Sequence, residues 1–317
     1  MPRQNNSLNK AKVAKNDEFY TLMSDIENEL SRYDFNQFKD KIVYCNCDDP
    51  TWSNFFKFFT KWGNKLGIKE VHFTNYANTK RVWNKQLTLF DLLDLKESEE
   101  DDKNGTAHHW IYNPQTNKTT KKQLKGDGDF RSKECIDILK KSDIIVTNPP
   151  FSIFNEFLNL IVSYDKKYLV ISDDNKLSNV DIFPLVKENK LWLGYTRVKK
   201  FLQPDGSYKT FGNKCWYTNL SVTYRQAPLH LHEQDLSLFN KYDNYDAIEV
   251  PEIKLIPNDY YEPMGLPITF LHKYCPEQFE IIGMSGVDIK IKGGRFYVKG
   301  KRLQPRIVVK RRKNNGI

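Results

Sequence analysis

Ile144-Ile145-Val146-Thr147-Asn148-Pro149-Pro150-Phe151 is the stretch on which the reading of this chain turns. Four β-branched residues in a row are too few for a helix and too apolar for a surface, and predict a buried strand. Two prolines then end it. Each fixes its φ and lacks an N–H, so the chain leaves the sheet in a stiff turn with unpaired carbonyls. Open α/β sheets hold their ligands at the carboxyl ends of their strands. At that point the sequence sets an amide side chain (Asn148), the carbonyls of Pro149 and Pro150, and the ring of Phe151. Amide and carbonyl oxygens can accept from an exocyclic amino group, and a ring can stack on the planar base that carries one.

Outward from the turn, strand-like and helix-like segments alternate. Ile42–Cys45 and Glu70–Thr74 predict strands. Between them a turn, Asp48-Asp49-Pro50, offers carboxylates as the N-cap of an aromatic helix over residues 53–66. A helix is predicted over 132–141, then the Ile144–Thr147 strand, a helix over 153–164 and a strand over 168–171. A helix near 181–189 and a short strand at 191–193 follow. The pattern predicts an α/β fold with a mostly parallel sheet covered by helices on both faces. Residues 77–125 break the rhythm with a charged stretch at 96–103 and a hairpin around Asn113-Pro114-Gln115-Thr116, and read as an insertion. Beyond Gly194, glycines and prolines punctuate short aromatic stretches, which predicts an irregular, basic region. Residues 296–298 and 306–309 alternate in a strand-like way.

The chain has 317 residues with a hydrophobic fraction of 39%, enough for a substantial core and too much for a disordered protein. Five scattered cysteines fit a reducing, cytoplasmic setting, and neither they nor the histidines show metal-ligand spacing. No run approaches a membrane span. The net charge of +9 is concentrated at the ends. Residues 1–16 hold Arg3, Lys10, Lys12 and Lys15 without an acid, and 289–317 hold eleven basic residues, again without one, so the body between is net negative. Uncompensated cations on a protein with a base-sized site point to a phosphate backbone.

These residues resemble those of the S-adenosylmethionine (SAM)-dependent amino-methyltransferases, and most closely of the EcoRI-type adenine-specific DNA methyltransferases. The resemblance runs through Asp17-Glu18-Phe19-Tyr20-Thr21, the segment from Tyr44 to Pro50, Gly126-Asp127-Gly128-Asp129-Phe130-Arg131-Ser132 and the Asn148–Phe151 turn. It continues through Cys215-Trp216-Tyr217-Thr218-Asn219-Leu220 and the segment from Met264 to Leu271, and so spans nearly the whole chain.

The resemblance implies a Rossmann-like methyltransferase fold and methyl transfer from SAM to N6 of an adenine flipped out of duplex DNA. Asn148 and the first proline carbonyl, Pro149, would accept from the target amine, with Pro150 and Phe151 completing the catalytic turn and Phe151 stacking on the base. Phe19, Tyr20 and Thr21 would lie along the methionine part of SAM. Cys47, Asp48 and Asp49 would hold the cofactor in the first βα turn, and Asp129 with Phe130 would grip its adenine. Two departures stand out. Residues 45–53 contain no glycine, and the second strand ends in Thr74-Asn75-Tyr76 without the usual ribose-binding acid.

The implied organisation is a basic arm over 1–16, a SAM-binding catalytic domain over 17–194 and a target-recognition region over 195–317. DNA contacts would come from Arg3, Lys10, Lys12, Lys15, Arg197, Lys199, Lys200, Lys299, Lys301, Arg302 and Arg306. Sequence reading would come from the region between Gly194 and Pro267, including Gln203, Lys209, Asn213 and Arg225. Double-stranded DNA is the expected partner; the sequence does not tell whether a restriction endonuclease accompanies the protein, and one that did would form no stable complex with it. Other readings are an amino-methyltransferase acting on RNA or protein glutamine, and a DNA-binding protein that has lost catalysis.

Overall fold

The computed structural model describes residues 19–77, 106–203 and 206–313. The basic arm, with Arg3, Lys10, Lys12 and Lys15, and the charged stretch 96–103 lie outside the described residues. The chain divides into two compact units, one running to Asp174 and including Gly194–Ser221, the other comprising Asn175–Leu193 and Val222 onward. No helix among the described residues is long and apolar enough to cross a membrane.

In chain order the first unit contains β1 (Tyr20–Thr21), α1 (Met23–Leu30), β2 (Ile42–Cys45), α2 (Asn54–Trp62), β3 (Glu70–Thr74), β4 (His108–Asn113) and β5 (Lys118–Gln123). It continues with α3 (Lys133–Lys141), β6 (Ile144–Thr147), α4 (Phe154–Ser163) and β7 (Lys167–Asp173). After the second unit's short α5 (Phe183–Lys187) come β8 (Trp192–Leu202) and β9 (Tyr208–Thr218). The strands form one sheet in the order β1-β8-β9-β7-β6-β2-β3-β4-β5.

Only its centre matches the expected mostly parallel sheet. Neighbours among β7, β6, β2 and β3 pair in parallel, whereas β1–β8, β9–β7, β3–β4 and β4–β5 pair antiparallel. The sheet is mixed. Parallel pairing needs a long crossover, which α2 and α4 supply, while each flank contains a hairpin, β4–β5 and β8–β9, that needs only a short connection. One is the expected hairpin at Asn113–Thr116, where Asn113 Oδ1 accepts from Gln115 N and Thr116 N at 2.9 and 3.1 Å. The other replaces the irregular stretch expected after Gly194: β8 and β9 are eleven residues each.

The central strand β6 reads Ile-Ile-Val-Thr because both its faces are covered; all four of its residues are buried. Helix α2 turns Phe55, Phe56, Phe58 and Phe59 inward, and Phe56 meets Phe73 of β3 edge-on at 5.4 Å. Its N-cap is Ser53, whose Oγ accepts from Phe55 N at 3.1 Å, and not the expected aspartates.

Glu29 of α1 is fully buried and joins the helix to β8. Its carboxylate accepts from Tyr195 N (2.8 Å), Thr196 N (2.7 Å), Thr196 Oγ1 (2.7 Å) and Tyr33 Oη (2.8 Å). Burial pushes its carboxyl upward, against those hydrogen bonds.

The second unit has a five-stranded sheet ordered β10 (Lys241–Tyr242), β11 (Tyr245–Glu249), β12 (Met264–Pro267), β16 (Arg306–Arg311) and β13 (Phe279–Met284). A separate hairpin joins β14 (Tyr297–Val298) to β15 (Lys301–Arg302). Residues Ile307, Val308 and Val309 of β16 are buried in succession, and Tyr242 stacks on Phe296 with centroids 4.3 Å apart. The Tyr242 hydroxyl donates to Glu249, which also binds Arg306 at 2.8–3.2 Å.

The Glu29 clasp leaves no room beside it. A Cβ at Gly194 would lie 2.2 Å from Glu29 Oε1 and 2.6 Å from Trp216 Cβ. Gly194→Ala is expected to destabilise the protein by about 1–3 kcal/mol, read as a lower midpoint in denaturant with cooperativity kept.

Candidate active site

Strand β2 runs through α2 to β3 on one side of the sheet's midline, and β6 runs through α4 to β7 on the other. The gap between β2 and β6 is therefore the topological switch point, where neighbouring carboxyl ends diverge and leave a crevice. Residues 46–53 leave β2 there and Asn148–Phe151 leave β6. Thr147 Oγ1 donates to Asp48 Oδ2 at 2.7 Å, and Ser53 Oγ donates to Asp48 Oδ1 at 2.8 Å. One buried carboxylate thus ties the end of β6, the first βα turn and the cap of α2 together. Burial holds Asp48 well above the ordinary carboxylate range, at about 7. Asp49 turns back on its own loop and accepts from Thr51 N at 2.9 Å.

Asn148 lies at the mouth of this crevice. Its Nδ2 donates to the Phe19 carbonyl at 2.6 Å, which aims Oδ1 the other way. That Oδ1 is buried without a hydrogen-bond partner, as are Asn46 Oδ1 and Thr21 Oγ1. Buried polar atoms are ordinarily paired, so two orphans on the loops leaving the switch point, and a third on β1, whose Thr21 carbonyl is held by Asn54 at the start of α2, suggest a place for a polar ligand. Asn46 was not among the residues singled out from sequence. The signal for it was available, since it is the first residue beyond β2.

Four phenylalanines close over the turn. Phe19, Phe151, Phe201 and Phe211 each have ring centroids 5.0–6.1 Å from the other three. Phe19, expected along the cofactor, therefore packs on the ring of Phe151, expected to stack on the base. Tyr20 packs on Trp52 at 4.2 Å, and Asn54 Nδ2 holds the Thr21 carbonyl at 2.8 Å. Lys214 and Lys209 bring ammonium groups to these rings.

The 126–130 loop reaches the same end of the sheet beside β3. Ala77 N donates to the Asp127 carbonyl at 2.8 Å, and a Cβ at Gly128 would lie 1.9 Å from the Asn75 carbonyl. Gly128 has φ +75, so both its space and its backbone call for glycine. The close-approach glycine missing from the first βα turn is found here. The Asp129 carboxylate accepts from Arg131 Nε at 2.8 Å and Nη2 at 2.6 Å, and Phe130 is buried against Phe157. The Cys47 thiol is pushed up by burial and the neighbouring Asp48, which makes it a poor nucleophile.

The basic candidates divide. In the first unit, Lys199 and Lys200 are exposed on β8, with Lys200 Nζ 3.8 Å above the Tyr208 ring, and Arg197 pairs with Asp174 at 2.6 Å. In the second unit, Lys299, Lys301 and Arg302 are exposed at the tip of the β14–β15 hairpin, while Arg306 is occupied by Glu249. Arg225, expected on a recognition loop, is instead buried between the Trp192 and Tyr274 rings at 4.5 and 5.1 Å. Residues 197–202 and 208–213 belong to the neighbouring strands β8 and β9 and not to the short loops expected.

An amide and prolines at the switch point of a mixed α/β sheet, beside buried unpartnered polar atoms, form a candidate methyltransferase site. The chain belongs to the family described as adenine-specific methyltransferase EcoRI, whose model matches residues 7–315. It is 43% identical to the type II methyltransferase M.EcoRI of Escherichia coli, over 95% of this chain and 98% of that protein. It is 35% identical to the type II methyltransferase M.MgeORF184P of Mycoplasma genitalium and 33% identical to M.MpnI of Mycoplasma pneumoniae, in each case over 96% of this chain and 98% of the relative. No solved structure matches it.

The buried Asp48 makes stability depend on pH. Its folded pKa of about 7 exceeds the ordinary 3.8, so its contribution is full below pH 4 and is lost as pH rises through 7. Thermal unfolding of the parent should lose more stability between pH 6 and pH 8 than that of Asp48→Asn, which carries no ionisable group there. Parallel pH profiles for the two proteins would contradict this.

Proposed function

We propose that this adenine-specific methyltransferase transfers a methyl group from SAM to N6 of an adenine flipped out of duplex DNA. It acts as the modifying member of a restriction–modification system whose companion endonuclease cuts the unmodified site. The observation that carries the reading is Asn148, with Nδ2 fixed on the Phe19 carbonyl and Oδ1 buried and unpartnered.

An aryl amine is a weak nucleophile because its lone pair is delocalised into the ring. Asn148 Oδ1 and the Pro149 carbonyl accept from its two hydrogens, favour a pyramidal nitrogen and aim its lone pair. When bound, SAM supplies a methyl group already activated by a sulfonium. The chain therefore needs no strong general base, and its contribution is orientation and exclusion of water. Phe151 provides the stacking face, and Phe19 must give way for a base to reach it. The stiffness of Pro149 and Pro150 keeps the acceptors aligned.

The four parallel strands and their crossover helices form the SAM-binding core in this reading. The orphaned Thr21 Oγ1 and Asn46 Oδ1 fit a polar cofactor, and Tyr20, Cys47, Asp49, Phe130 and the Asp129 carboxylate, which also accepts from Arg131, complete its surroundings. Asp48 serves as the clasp of the loop. Lys199, Lys200, Lys299, Lys301 and Arg302 meet phosphates, and the β8–β9 hairpin contributes to sequence reading. Exposed cations favour a nucleic acid over a protein substrate, and the family description favours adenine.

Asn148→Ala is expected to slow methyl transfer in a single turnover by at least about a hundredfold, with SAM affinity by calorimetry unchanged. Equal rates in variant and parent would reject the assignment of Asn148. Neutralising Lys299, Lys301 and Arg302 together should weaken DNA binding and flatten its salt dependence, by about 0.9 in the log–log slope for each phosphate no longer neutralised. An unchanged slope would remove that hairpin from the DNA interface.

A further inference from the structure

Lys214 lies on β9 opposite Asp173 of β7 and is only 3% exposed. Its ammonium pairs with Asp173 Oδ1 at 2.7 Å, and Asn213 Nδ2 donates to the same oxygen at 2.9 Å. Asp173 is itself anchored, since Tyr217 Oη donates to its carbonyl at 2.6 Å. Held in this way, Lys214 Nζ sits 3.4 Å from the centre of the Phe151 ring and 4.7 Å from that of Phe211. A charge that close to the centroid lies over the face of the Phe151 ring and covers it. A desolvated ammonium on an aromatic face is a strong, directional contact. Buried lysines are rare, and a merely structural role at this position could be filled by an apolar side chain at lower desolvation cost.

We propose that Lys214 is a positioning residue for methyl transfer: it pins one face of Phe151, while the target adenine takes the place now held by the Phe19 ring, which stacks on Phe151 with centroids 5.7 Å apart. The proposal rests on the reading of Phe151 as the stacking ring. The Asp173–Lys214 pair sets the ring's plane, and with it the height at which the amine meets Asn148. Because Phe151 follows Pro150 directly, a ring free to tilt would also disturb the turn that carries the acceptors.

The test uses the full-length protein with two duplexes. One carries 2-aminopurine at the target position, whose emission reports what the flipped base stacks on. The other carries adenine there, and methyl transfer is measured on it, because 2-aminopurine has no 6-amino group to methylate. Phe151→Leu sets the signal for a missing platform. Lys214→Met keeps the length of the side chain without its charge, Asp173→Asn/Lys214→Met avoids stranding a half-buried carboxylate, and Lys214→Arg keeps a cation over the ring. Both methionine variants should give emission moved towards that of Phe151→Leu and transfer slowed roughly ten- to thirtyfold in a single turnover, with SAM affinity unchanged. Lys214→Arg should recover most of both. Should Lys214→Met fold poorly, the double variant and Lys214→Arg carry the comparison. Parent-like emission and rate in the folded methionine variants overturn the proposal alone. Identical emission from the parent and Phe151→Leu overturns the platform reading, and the proposal with it.

Discussion

The hydrogen bond from Thr147 Oγ1 to Asp48 Oδ2, 2.7 Å long and buried, is the contact on which the site's geometry depends. Strands β2 and β6 are parallel neighbours, but the chain carries their carboxyl ends to opposite sides of the sheet. Without a link across the gap, two loops of unpaired polar backbone would face each other over the crevice. The Asp48 carboxylate supplies that link and caps the arrangement through Ser53, the residue that also starts α2. Burying a carboxylate is costly even with two hydroxyl donors, and its raised pKa records that cost. The strain of a buried acid is tolerated where it fixes the spacing of two functional loops.

The same clasp accounts for the missing glycines. A glycine-rich turn works by letting the backbone adopt positive φ and approach a ligand closely. Among residues 45–53 none has positive φ, so the turn follows an ordinary backbone path and is shaped by Asp48, Asp49, Thr51 and Ser53. Close backbone approach is needed instead where the 126–130 loop crosses the end of β3, and Gly128 is found there against the Asn75 carbonyl. Asn75 Oδ1 in turn accepts from His108 N at 2.9 Å and so helps to place the start of β4. The position where a ribose-binding acid was looked for is thus occupied by a residue with a structural task.

What was legible in the sequence was what local pattern alone decides. The runs at Ile42–Cys45, Glu70–Thr74 and Ile144–Thr147 become strands with those bounds, because their β-branched and aromatic residues suit a largely buried strand. The hairpin β8–β9 was hidden because its strands are edge-on to two environments. Val198 and Phe201 are buried while Arg197, Lys199 and Lys200 are exposed, and Gly194 and Gly212 read as breaks. Gly194 is no break: it is the space that Glu29 requires. Strand direction was equally hidden, since parallel and antiparallel pairing differ in connection and not in residue type.

Residues whose importance comes from a partner far along the chain were also hidden. Glu29, Asp173 and Lys214 are charged residues in local sequence of no distinct pattern, and charge of that kind ordinarily means solvent. Each is instead committed to an interaction that exists only once the sheet has formed: Glu29 with β8, Lys214 with β7 and the Phe151 ring. Asn148 is the opposite case. Its role can be argued from its neighbours in sequence, yet which of its side-chain atoms faces the crevice is decided by the Phe19 carbonyl, 129 residues upstream. The amide donor is satisfied there, so the acceptor is the atom left for a ligand. The proline turn thus supplies stiffness from the local sequence, while the sheet edge at β1 supplies the orientation, and the site's chemistry needs both.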